Sequence, residues 1–184
     1  MNGNLTIPEI NLQLLSAEKE FSGFCSALAD EKFFHQPEGK WSPAQQVKHL
    51  ITATNMARLP LMLPGFMVRL IGGKPNRKSR TYEELVAKYK MKLEQGGRAS
   101  GRYVPKPIPA TYGKERSLNN FTNAMNKFTQ SMHSIRKEAK LDNFIAPHPL
   151  LGKITLRELC YFTIYHTQHH LHNIKVLTDA SKQG

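Results

Sequence analysis

Tyr165-His166-Thr167-Gln168-His169-His170-Leu171-His172 decides how this chain is read. Four of the 8 histidines in 184 residues fall here. His166 and His170 are four apart, so on an α-helix they stand one turn above the other on the same face and can offer two imidazoles to one ion. The flanks predict that helix. Thr155-Leu156-Arg157-Glu158 has the S/T-x-x-E form in which hydroxyl and carboxylate satisfy each other's free backbone N–H groups. From Thr155 to about Ala180 there is neither Gly nor Pro. Steps of three and four give one stripe, Leu159, Thr163, His166, His170, Asn173 and Leu177, apolar at its ends and polar in its middle. Unpaired buried polar groups cost about 1–3 kcal/mol each, so a core-facing stripe of this kind asks what uses those lone pairs.

Upstream, the same signals recur. Ile10, Leu14, Ala17, Phe21, Phe24, Cys25 and Leu28 recur at helical spacing, predicting a helix from Pro8 to about Phe34 that ends before Gln36-Pro37-Glu38-Gly39. Trp41-Ser42-Pro43-Ala44-Gln45 starts a second, with Ser42 as N-cap, Pro43 at the first helical position and Gln45 closing a capping box. Its apolar face is Val47, Leu50, Ile51 and Thr54, flanked by His49 beside Ala53 and Met56. Taken alone, a histidine there is more often a hydrogen-bonded core or boundary residue than a ligand. Pro60 and Pro64-Gly65 interrupt or bend the chain, so Leu61 to Ile71 reads as a short separate helix or a kinked extension. Met56 and the Leu and Met residues after it are core, or line a pocket.

Thr81-Tyr82-Glu83-Glu84 caps a helix through Leu85, Tyr89 and Leu93 to Gly96-Gly97. From Gly96 to Arg116 the chain is rich in Gly, Pro, Ser, Arg and Lys; it is a long basic loop, either a lid carrying Tyr103 and Tyr112 or a crossover packed along the domain. Leu118 to about Ala139 forms another helix, with Phe121, Met125, Phe128, Met132 and Ile135 inside and His133 facing solvent. Pro147-His148-Pro149-Leu150-Leu151-Gly152 is a rigid loop before the last helix, in which His148 has a loop role or supports the site from behind. No stretch reads as a convincing strand. The expectation is an all-α chain, one domain over residues 1–184, built as a four-helix bundle with an extra short helix.

Composition narrows the function. There is no 18-residue apolar run and no basic-then-apolar N-terminus, which predicts a soluble cytoplasmic protein. Cys25 and Cys160 have no metal-type spacing and read as small buried residues of a reducing compartment. The formal charge of +12 is scattered, from Lys40 and Lys48 through Arg69-Lys78-Arg80 and Arg98-Arg102-Lys106 to Lys137-Lys140 and Lys153. Such a spread suits solubility and weak anion attraction better than nucleic-acid binding, which needs a clustered basic face.

In a bundle the second and last helices can be neighbours, and His49 would then join His166 and His170. Three neutral imidazoles suit a divalent ion such as Zn²⁺ or Ni²⁺ and leave a position open to water or substrate, which is a catalytic rather than a structural arrangement. The alternative is a non-catalytic bundle that binds a small molecule or protein partner through a satisfied polar core.

Three stretches together resemble the DinB-like superfamily: Gly39-Lys40-Trp41-Ser42-Pro43 with His49-Leu50; His148-Pro149-Leu150-Leu151-Gly152-Lys153-Ile154-Thr155 with Glu158; and His166-Thr167-Gln168-His169-His170. That superfamily includes proteins read as metal-dependent hydrolases and the bacillithiol S-transferases. The resemblance implies a four-helix bundle, often dimeric, with a metal ion held by His49, His166 and His170. His169 would be a neighbour that does not ligate, and Asn173 stands where relatives commonly carry Gln or His. The expected function is a metal-dependent enzyme whose three-histidine site activates a thiol or water, as a thiol S-transferase or a hydrolase. Its partners would be a small-molecule substrate, such as a low-molecular-weight thiol, and a second copy of the chain. His169, Asn173 and Met56 are the expected pocket residues.

Overall fold

The structure, a computed structural model, describes residues 4–135 and 138–180. Four long helices form the bundle: α1 (Ile7–Ala27), α3 (Pro43–Met62), α6 (Lys114–His133) and α8 (Leu156–Ala180). α1 and α3 each pack against both α6 and α8, so the four close into a ring. The shorter helices are α2 (Asp30–Phe34), α4 (Gly65–Gly72), α5 (Tyr82–Glu94) and α7 (Ala139–Asn143). Fully buried Phe21, Phe121, Phe128 and Leu14 lie in the core, with the Phe21 and Phe121 rings 4.9 Å apart. Burying each such side chain contributes about 1.5–3 kcal/mol. Among the described residues no helix is long and apolar enough to cross a membrane.

The helix starts follow their capping boxes. Ser42 Oγ accepts from the Gln45 N–H at 3.1 Å while Gln45 Oε1 accepts from the Ser42 N–H at 2.9 Å. Thr81 and Glu84 do the same for α5, and Thr155 and Glu158 for α8. Glu158 also joins distant chain: Arg77 donates to both its oxygens, at 2.6 and 2.8 Å, and the Arg80 N–H donates at 2.7 Å. The neighbouring Arg157 is held by Asp142, Glu138 and the Leu5 carbonyl. The first turn of α8 is thereby tied to the N-terminal segment, to the loop before α5 and to α7, which fixes the helix that carries the histidine pair.

Several sequence expectations need correction. The first helix is two: Leu28 and Ala29 are extended, with ψ of 143° and 148°. Lys114 Nζ holds the break by donating to the Leu28 carbonyl at 2.6 Å and pairing with Asp30 at 2.9 Å, a tertiary cause that local composition does not reveal. Pro60 does not interrupt α3, since in the last turn its missing N–H forfeits one bond and the helix runs on to Met62. The separate helix after it is α4, shorter than Leu61 to Ile71. α6 starts at Lys114 and ends at His133 instead of running to Ala139; within that span residues 136 and 137, including Lys137 of the basic set, lie outside the described residues. His133 is exposed, as expected.

The absence of strands is also overturned. β1 (Ile145–His148) and β2 (Gly152–Thr155) pair antiparallel, Ile145 opposite Thr155 and His148 opposite Gly152. Gly152 turns the hairpin with φ +73°, a region that favours Gly. Four residues containing a Pro give too little alternation to be read as a strand. α4 lies flush on this hairpin, where a Cβ on Gly72 would fall 1.8 Å from the Ile145 carbonyl oxygen. The stretch between α5 and α6 keeps only two single 3₁₀ turns, Gly101–Tyr103 and Ala110–Tyr112, and the first of these packs on α3.

Candidate metal centre

α3 and α8 lie side by side, and the stripe on α8 faces His49. His49, His166 and His170 are 7%, 5% and 6% exposed, and their Nε2 atoms meet: His49 to His166 at 3.0 Å and His170 to His166 at 3.2 Å. One ligand atom from each lies within 4.8 Å of the others, so the trio could hold a metal ion. A tetrahedral ion with bonds of about 2.0–2.1 Å sets its nitrogen ligands roughly 3.3 Å apart, close to both measured separations.

The outer edges of two rings decide what the inner edges offer. His49 Nδ1 lies 2.6 Å from the Tyr103 carbonyl oxygen, and an oxygen of that kind only accepts, so Nδ1 carries the proton. His170 Nδ1 lies 2.9 Å from Gln46 Oε1. That amide is oriented by its Nε2, which donates to the Trp41 carbonyl at 3.4 Å. Both Nε2 atoms therefore point bare lone pairs at the His166 Nε2. One N–H there can aim at only one of them, so the other lone pair has no protein donor among the described residues. Burial holds His49, His166 and His170 below the usual histidine range, the latter two well below, so all three are neutral near pH 7. Neutral imidazoles with carbonyl-type partners on their far nitrogens are the form in which histidines ligate.

Aromatic rings wall the group. Trp41 lies parallel to His170 at 6.4 Å, and Phe162 stacks on His166 at 4.7 Å. The other polar residues of the stripe are satisfied elsewhere. The Thr163 hydroxyl bonds the Leu159 carbonyl of its own helix, and Asn173 Nδ2 bonds His169 Nε2 at 3.1 Å. His169, Asn173 and Met56 all line the cavity of about 840 Å³ that opens onto the trio, but none joins it. Met56 Sδ also meets Arg102 at 3.7 Å. His172 is exposed on the cavity rim. Gln46, Phe162 and the Tyr103 carbonyl were not singled out from the sequence. Gln46 sits one turn before His49 on the same helix, and that spacing was the available signal. A backbone carbonyl 54 residues away leaves none.

Fold and site together define a helical bundle with a buried three-histidine group at the base of a largely apolar cavity. No curated protein matches the chain, but the family model of the DinB superfamily matches residues 13–174. The chain belongs to the DinB superfamily.

Proposed function

We propose that this protein is a divalent-metal-dependent enzyme in which His49, His166 and His170 hold Zn²⁺ or Ni²⁺ through Nε2, and that it acts on a small molecule as a thiol S-transferase or a hydrolase. The observation that carries the reading is the convergence of three Nε2 atoms, two of them with their far nitrogens committed to the Tyr103 carbonyl and Gln46 Oε1. A divalent ion held there would supply Lewis acidity, which brings a thiol or water to its nucleophilic form near neutral pH. The chain's own part is to hold the rings rigid, to keep them neutral by burial and to exclude bulk water with Trp41 and Phe162. Cys25 and Cys160 are no rival nucleophiles, because burial pushes both thiols up to about 12.

The test is metal analysis of protein purified without a histidine tag, alongside thermal unfolding with added Zn²⁺ or Ni²⁺. Binding at 100 times Kd adds about 2.7 kcal/mol, which at this chain length raises Tm by roughly 5–10 °C. His166→Ala is expected to lose both the ion and the shift. No metal and no shift in the unsubstituted protein refutes the reading and leaves the non-catalytic bundle. We further propose a cytoplasmic homodimer. The exposed apolar side chains of Phe66, Leu70 and Ile71 on α4 support the self-association, and light scattering on the purified chain measures it.

A further inference from the structure

His148 takes no part in the imidazole trio, and its ring has two edges with different tasks. Nδ1 accepts from the backbone N–H groups of Leu150 at 3.2 Å and Leu151 at 3.1 Å, bracing the hairpin turn. A ring nitrogen that accepts two N–H donors carries no proton, so the neutral ring bears its hydrogen on Nε2. Burial, and after it the Lys88 ammonium bonded to the Leu151 carbonyl at 2.9 Å, push this imidazole down to about 4. Near pH 7 it is a fixed neutral donor.

The Nε2 edge is left free. His148 is one of the cavity's lining residues, and among the described residues no protein group bonds its Nε2. That atom is not sealed in either, since the enclosed side-chain polar atom lacking a partner is Asn11 Oδ1. The ring stands edge-on to Phe162 at 4.2 Å, and Phe162 stacks on His166, so a single phenyl ring separates His148 from the trio. The cavity walls carry Lys40 and Arg98 and, among the described residues, no Asp or Glu. Arg98 follows Gly97, whose Cβ position lies 3.2 Å from Leu150, on the hairpin turn that His148 opens. The rest of the wall is mainly apolar, with Met56, Leu63, Val68, Ile71 and Leu93. Such a wall has two basic side chains and no carboxylate to compete for the Nε2–H, which suits an anionic group.

We propose that His148 Nε2–H binds an anionic oxygen of the substrate, which is an apolar molecule carrying a carboxylate-like group whose other end reaches the three histidines. The assignment of that second end rests on the metal-enzyme reading; the donor role of His148 stands on the hairpin geometry.

Two substitutions separate the ring's tasks. His148→Asn keeps an acceptor for the turn amides and deletes the far donor. His148→Gln keeps an N–H donor near the Nε2 position. The probes are 3-mercaptopropionate and propane-1-thiol, titrated by calorimetry into the zinc-loaded full chain. The unsubstituted protein is expected to prefer the acid. His148→Asn is expected to lower that preference about tenfold or more, the effect of a lost hydrogen bond to a charged group, with zinc affinity unchanged. His148→Gln restores part of it. In ¹⁵N-histidine spectra His148 is expected as the Nε2–H tautomer, shifting with 3-mercaptopropionate and not with propane-1-thiol. An Nδ1–H tautomer, an imidazolium, no preference for the acid, or an unchanged preference in His148→Asn overturns the proposal. Failure of the metal reading shows itself separately, as absent zinc binding in every variant. Titration of octanoate against octan-1-ol into the zinc-free chain, together with the tautomer, then decides the His148 assignment alone.

Discussion

Gln46→Ala removes the amide that orients His170 and leaves every proposed ligand in place, so it separates orienting a histidine from being one. In the native protein Gln46 Oε1 lies 2.9 Å from His170 Nδ1, and the amide is held the right way round by the Trp41 carbonyl. Without it the buried Nδ1–H loses its acceptor, which costs about 1–3 kcal/mol. The ring is also freed to turn or to move its proton to Nε2, where it blocks ligation. Loss of such an outer partner typically weakens metal binding 10–100-fold, equivalent to roughly 1.4–2.7 kcal/mol. Competition with a chromophoric chelator measures this directly, and far-UV circular dichroism checks that the helices persist. Gln46→Glu retains an acceptor for Nδ1 but sets a carboxylate oxygen against the Trp41 carbonyl, so it is expected to recover part of the affinity. Zinc affinity in Gln46→Ala within twofold of the unsubstituted chain, with the fold intact, would refute the claim that this amide sets the His170 tautomer.

Two further predictions concern the frame around the site. Glu158 is fully buried; burial pushes its carboxyl up, but Arg77 and the Arg80 and Thr155 N–H groups outweigh that and hold it below the usual range. The stability it contributes is therefore complete above the ordinary value of 4.5 and is lost as pH falls through the lower folded value. Glu158→Gln should cost about 3 kcal/mol at pH 7, the low end for a broken buried pair because Arg77 can turn to solvent. Urea unfolding should show the difference from the unsubstituted chain shrinking in acid, whereas a gap that persists well below that range contradicts the ion-pair account. Gly72→Ala should destabilise by roughly 3 kcal/mol, since its Cβ would meet a strand carbonyl at 1.8 Å and backbone must move; a thermal midpoint within 2 °C of the native one, against the roughly 2–4 °C expected per kcal/mol, refutes that contact.

What was legible beforehand was local. The Ser42–Gln45, Thr81–Glu84 and Thr155–Glu158 boxes each lie within four residues, and all three helices start where those pairs place them. The one-turn spacing of His166 and His170 is equally local, and the structure keeps the two on one face of α8. His49 needed two further steps, the neighbouring of α3 and α8 and the resemblance to a family. The α1–α2 break escaped because its cause, Lys114, lies 86 residues from the carbonyl it holds. The hairpin escaped because Pro147 and four-residue strands leave no alternation to read. The two tasks of His148 follow from amides two and three residues ahead, but only the folded turn shows that they meet Nδ1.

The loop between α5 and α6 touches His49 with a main-chain oxygen, that of Tyr103, and not with a side chain. Any amino acid at position 103 supplies that atom. A change of side chain at position 103 therefore leaves the contact with His49 in place, whereas an insertion or deletion that shifts the main chain there would be felt at the histidine.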